Sequence, residues 1–336
     1  MRRIVYVCPD SNSPTGGIKV IYRHAEAMRN LGFDAHVMHF SVGFRCNWFP
    51  NDASIIQLSQ LRTTDIVVIP EIMTAFAMQL QALGIEYCMF VQNGYLVLPT
   101  ADLATLRQCY ERALLTISIS DDTTGVLLSV FPNLVHKILR QRYSVDREKF
   151  KCTVKKNTVT YMPRKLPLHA GNVVPWLANE FQDWQFVPLH GLPEAEVATA
   201  LGQSRIFLAF SDFEGCPVPP IEAALCGNVV IGYPGWGGRE YWIEPNFRSV
   251  EFGNIRDFVR KFYEVDKFAR SVYVTDMLAP GIEHLAECYG DAAELADLRR
   301  FADRIGLIKK LAPTAELMVS PEIISARENA ALEMSE

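Results

Sequence analysis

Glu214 and Glu222, with seven residues between them, lie in the run Ser211-Asp212-Phe213-Glu214-Gly215-Cys216-Pro217-Val218-Pro219-Pro220-Ile221-Glu222-Ala223-Ala224-Leu225-Cys226-Gly227. An apolar segment at 206–210 precedes the run and reads as a buried strand. The Pro219-Pro220 pair is pre-organised for a first helical turn, and Gly227 suits the helix end. Glu214 is therefore expected on the loop at the strand's carboxyl end and Glu222 in the first turn of the helix. Both should face a cleft, walled by Gly215, Cys216, Pro217 and Val218. Carboxylates accept hydrogen bonds from sugar hydroxyls, and a helix N-terminus attracts an anion. Together they suit a nucleotide-sugar. A capping glutamate beside an unrelated surface glutamate is the purely structural alternative.

Three other segments carry chemistry of the same kind. Tyr161-Met162-Pro163-Arg164-Lys165 puts a planar cationic fork beside a point charge, the pair a departing diphosphate needs. A solvated basic loop would look alike. Pro14-Thr15-Gly16-Gly17-Ile18-Lys19-Val20 opens a helix with two residues that let phosphate oxygens approach the main chain; a plain tight turn is the alternative. It lacks the Gly-Lys-Ser/Thr ending of a nucleotide-binding P-loop. Gln92, Asn93 and Ser120 end expected strands and are candidates for ligand contact, or for turn and cap roles. No Asp-x-Asp pair occurs, so no metal-ligand set is expected. His24 and His190 read as core or surface residues.

The elements that must position these residues alternate in two series. Apolar runs at 3–7, 35–40, 65–69, 87–91 and 114–119 are separated by helical patterns, the clearest over 17–31. A second series, at 158–161, 185–189, 206–210 and 229–233, is interleaved with helices near 170–180, 193–202 and 219–227. Such alternation predicts α/β domains with parallel sheets covered on both faces. We expect one domain at 1–150, a second at 151–310, and a polar, frayed tail at 311–336. Beyond 254 the pattern is helical. Ligands of open parallel sheets sit outside the strands' carboxyl ends, so two such domains facing one another would make a cleft.

Composition narrows the partners. The 336 residues carry a net charge of −5, against a general nucleic-acid binder. Residues 137–156 hold eight basic and two acidic side chains, net +6, leaving −11 elsewhere. That stretch has the charge to dock peripherally on the inner face of an anionic membrane; a solvated interdomain segment is the other reading. No apolar run is long enough to span a bilayer, and the N-terminus reads as a first strand rather than a signal peptide. The eight cysteines form no Cys-x-x-Cys pair, which suits free thiols in a cytoplasmic protein.

The segment EGCPVPPIEAALCG resembles the EGFGLPPLEAMACG motif of retaining glycosyltransferases of the GT-B fold, notably family 4, sharing Glu214, Gly215, Pro219, Pro220, Glu222, Ala223, Cys226 and Gly227. The resemblance covers about residues 3–250. It implies two Rossmann-like domains facing across a cleft, the first on the acceptor side with Gln92, Asn93 and Ser120 lining it, and the second holding the donor nucleotide. It implies that Glu222 binds ribose hydroxyls and Glu214 the donor sugar, while Arg164 and Lys165 clamp the diphosphate against the Gly16-Gly17 loop. The implied partners are a nucleotide-sugar co-substrate and a glycan or lipid-linked acceptor, with no cofactor. Members building bacterial surface polysaccharides, including rhamnosyltransferases, look most similar. Pro217 stands where the family has glycine, and Gln92-Asn93 where many members place a histidine. An inactive glycan-binding or scaffold subunit and a nucleotide-sugar epimerase are therefore alternatives.

Overall fold

The computed structural model describes residues 2–307; the tail expected at 311–336 lies outside them. The first sheet has seven parallel strands: β1 (Ile4–Val7), β2 (Ala35–His39), β3 (Ile55–Gln57), β4 (Ile66–Pro70), β5 (Glu86–Val91), β6 (Thr116–Ser118) and β7 (Ile138–Arg140), in the order β3-β2-β1-β4-β5-β6-β7. Ile4 pairs with Ala35 on one side and Ile66 on the other. All of β1 and β4 is buried, which is why these strands are apolar without alternation. Helices α1 (Gly16–Asn30), α2 (Thr74–Ala82), α3 (Leu103–Arg112) and α4 (Asp121–Val130) belong to this half. In α1, the helix expected over 17–31, Ile18, Ile21, Tyr22, Ala25 and Met28 recur at helical spacing and are buried.

The second sheet has five parallel strands: β8 (Thr158–Tyr161), β9 (Gln185–Pro188), β10 (Ile206–Ser211), β11 (Val229–Pro234) and β12 (Phe247–Ser249), in the order β12-β11-β10-β8-β9. Its helices are α5 (Pro167–Glu180), α6 (Glu194–Gln203) and α7 (Val218–Leu225), followed by α8 (Ile255–Ala269) and α9 (Val274–Cys288). Strands β3, β7 and β12 are three residues each, too short for periodicity to reveal.

The last described helix, α10 (Asp291–Arg304), returns to the first sheet. Arg23 of α1 donates to Glu294 and Asp291 at 2.7 Å each, and Arg142 pairs with buried Asp297 at 3.0 Å. The chain thus passes between the sheets twice, and the two passages touch: the Val145 N–H donates to the Tyr289 carbonyl at 2.8 Å. His24 is fully buried under Phe90, and burial lowers its pKa to about 3. It is a core residue. The basic stretch 137–156 is tied down along its length. Arg140 pairs with Glu240 and Lys149 with Glu194, while Lys137, Lys155 and Lys156 donate to oxygens of neighbouring segments. Among the described residues no helix is long and apolar enough to cross a membrane.

Candidate active site

β10 is buried throughout and delivers its carboxyl end into the loop that carries Glu214. Glu214 is ion-paired to Lys165, which follows β8, the strand hydrogen-bonded to β10. The Glu214 side chain is mostly shielded and the Lys165 side chain half exposed. Arg164, exposed, lines the same cavity of about 60 Å³, together with Met162, Pro217 and Pro219. The structure therefore brings Glu214, Arg164, Lys165 and Pro217 to one place.

The glycines of this loop answer to packing between backbones. A Cβ on Gly215 would lie 2.0 Å from the Gln92 carbonyl oxygen, and one on Gly237 would lie 1.7 Å from the Gly215 oxygen. Main chain from β5's end, the β10 loop and the β11 loop is stacked three deep, with no room for a side chain. Cys216 and Pro217 are buried beside this stack, and the Tyr241 hydroxyl donates to the Pro217 carbonyl at 2.5 Å.

Helix α7 begins at Val218, one residue before the proline pair. Pro217, Pro219 and Pro220 lack N–H groups, so the first turn offers the N–H of Val218 and, further in, that of Ile221. The helix end is thus a poorer anion site than its dipole alone suggests. Glu222 lies outside the cavity lining. Burial raises its carboxyl to about 7; the charges of Lys19 and Lys149 act to lower it and that of Glu194 to raise it.

The first sheet supplies the opposite wall. Thr15 caps α1 without a side-chain hydrogen bond, and the first turn holds no acid, leaving the Gly16-Gly17 end unneutralised. Lys19 in this turn is paired with Glu194 at the start of α6, so the two halves meet in an ion pair. The Gln92 side chain donates to the Gly17 carbonyl at 3.1 Å, and Asn93 Nδ2 donates to the Phe213 carbonyl at 2.9 Å. Ser120 is fully buried, and its hydroxyl caps α4 by accepting the Thr123 N–H at 3.0 Å. It stands apart from the cavity.

Two acids here escaped the sequence reading. Glu71, 4% exposed, accepts the Gln92 and Asn93 N–H groups at 3.2 and 2.9 Å. Burial pushes its carboxyl up to about 7. It directly follows β4, and an acid at a strand's carboxyl end was the available signal. Glu240 accepts the Asp121 N–H at 2.8 Å and the Tyr289 hydroxyl at 2.7 Å, and pairs with Arg140. Among the described residues no three His, Cys, Asp or Glu side chains converge as metal ligands.

No protein-family model matches the chain, and no curated protein sequence does. Solved structures do. Sucrose-phosphate synthase from Thermosynechococcus elongatus superposes with a TM-score of 0.70 at 11% identity, over 91% of this chain and 99% of that one. A glycosyltransferase from Rickettsia africae ESF-5 gives 0.66 at 13% identity, over 91% and 99%. Anabaena HepE, solved in complex with UDP-glucose, gives 0.65 at 11% identity, over 90% and 100%. At such identities the likeness speaks for architecture: this chain has the GT-B fold, two Rossmann-like α/β domains whose strands present their carboxyl ends to a shared cleft.

Proposed function

We propose that the chain is a retaining glycosyltransferase that moves a sugar from a nucleoside diphosphate to a hydroxyl of a glycan or lipid-linked glycan, in polysaccharide biosynthesis. The observation that carries this reading is the convergence of paired Glu214 and Lys165 with Arg164 on one cavity, at the carboxyl end of the second sheet. Similar folds solved with UDP or UDP-glucose support it. Gly16 and Gly17 seat the phosphates, and Glu222 binds the ribose hydroxyls. On donor binding Lys165 turns from Glu214 to the diphosphate, and Glu214 takes the sugar's hydroxyls. The acceptor oxygen bonds the anomeric carbon on the face the diphosphate leaves. The old C–O bond breaks with its electrons going to phosphate, and the acceptor proton passes to a phosphate oxygen. Configuration is retained. Arg164 and Lys165 stabilise the charge that develops, with no metal required.

A cavity of about 60 Å³ is too small for a nucleotide-sugar, since ligand pockets run to several hundred. The donor enters when the domains part, and their closure then excludes water. A binding-only subunit is favoured by one observation, the loss of an N–H donor to Pro217 where the family has glycine. Thermal-shift titration with uridine, adenosine and guanosine diphosphates tests the assignment. At least one should raise the melting point of wild type and do so less for Glu222→Ala. Equal shifts in both proteins would overturn the role of Glu222, and binding without turnover of the matching nucleotide-sugar would favour the binding-only subunit.

A further inference from the structure

Two aromatic side chains stand in water on the loops around Glu214: Phe213, its chain neighbour, is 56% exposed, and Trp236, between two glycines that pack on Glu214, is 40% exposed. They come from the β10 and β11 loops, which are locked together. The Gly237 N–H donates to the Glu214 carbonyl at 3.0 Å, and a Cβ on Gly235 would sit 3.5 Å from that of Glu214. Both rings are held in place. The Arg239 guanidinium lies 3.9 Å from the Trp236 ring centre, and the Phe213 ring lies 5.1 Å from that of Tyr95 across the cleft. The Tyr95 hydroxyl donates to Asp122 at 3.0 Å. Glu240, next to Arg239, binds the start of α4 through the Asp121 N–H. Three loops, two from one domain and one from the other, thus bring together two fixed rings, a planar cation and a carboxylate.

Resting on the transferase reading, we propose that Trp236, Phe213, Arg239 and Asp122 form a platform for a pyranose ring of the acceptor. A pyranose has an apolar C–H face that stacks on an aromatic ring, and adjacent hydroxyls that a guanidinium or carboxylate grips in pairs. A wholly apolar partner would strip water from Arg239 and Asp122 without replacing those hydrogen bonds. The position agrees: Glu214 is assigned to the donor sugar, so the acceptor ring must lie against its neighbours.

The test needs no turnover. The chain has five tryptophans, whose indole N–H signals can be resolved in nitrogen-15-labelled full-length protein, that of Trp236 by its loss in Trp236→Phe. Methyl glucoside, galactoside and mannoside are titrated to about 20 mM, a range suited to single-ring affinities. At least one should shift the Trp236 signal, and ligand-observed saturation transfer should show its affinity about tenfold weaker in Trp236→Ala and Phe213→Ala. The platform is overturned if no pyranoside moves the signal, or if binding is unchanged in both variants. It is equally overturned if only phosphatidylcholine vesicles move it, which marks a membrane contact, or only uridine diphosphate, which marks a base-stacking site. Uridine diphosphate binding, read in the same spectra and in Glu222→Ala, reports on the donor assignment separately.

Discussion

The two ends of the second sheet hold cavities of opposite character. At the amino end a cavity of about 200 Å³ is lined by Lys155, Arg205 and Arg270. At the carboxyl end the cavity is about 60 Å³, lined by Arg164 and Lys165. Size favours the first, and valence decides for the second. Lys155 donates to the carbonyls of Ser204 and Cys226 at 2.6 and 2.5 Å, closing the ends of α6 and α7. Arg205 donates to Ala269 at the end of α8, and Arg270 pairs with Asp183 and Asp266. Helix C-termini also present negative dipole ends, which repel an anion. Those cations are already committed to the fold. Arg164 has no carboxylate partner among the described residues, and Lys165 shares one half-exposed pair. Charge left for a ligand, rather than volume, is what supports the proposed site at the carboxyl end.

The contrast can be broken most severely at Gly215. Gly215→Ala must push the Gln92 carbonyl away, and a loss of about 3 kcal/mol in denaturant unfolding is expected; an unchanged midpoint would deny that the backbones meet. Arg164→Ala combined with Lys165→Ala should slow transfer about a hundredfold while leaving the melting point nearly unmoved. Lys155→Met should do the reverse. Stripping the donor from two helix ends should cost about 2 kcal/mol of stability, with nucleotide binding intact. Were Lys155→Met to abolish nucleotide binding, the two ends would have exchanged roles.

The smallest effect concerns pH. Glu222 is raised to about 7 in the folded protein from an ordinary 4.5, so the folded state binds more protons between those values. Stability contributed by Glu222 is present below about pH 4.5 and is lost as pH rises through about 7. Glu222→Gln should therefore raise the melting point more at about pH 8 than at about pH 5. A shift of equal size at both would show that burial does not penalise the carboxylate.

Much of this was legible locally. The apolar runs that became β1, β4, β8, β10 and β11 announced themselves because strands buried on both faces need no alternation. Pro219, Pro220 and Gly227 bracketed α7 to within a residue or two because helix ends have their own chemistry. The placement of Glu214, Arg164 and Lys165 followed, since each sits directly after such a strand. What could not be read came from apposition. Glu71 matters through N–H groups 21 and 22 residues on, and Glu240 through a helix start in the other domain. Gly215 was expected in the cleft wall, and the need it also meets, room for the Gln92 carbonyl, is invisible in its own segment. Ser120 satisfied the pattern for either role, and its burial made it a cap.

The hydrogen bond between Val145 and Tyr289 has a mechanical meaning. One covalent passage between domains would leave a swivel, free to twist as well as open. Two passages fastened side by side would act as the pins of a single door, favouring a swing about the line they share over a free twist. A donor would then be admitted along one path, and each closure would return Glu214 and Gln92 to the same register.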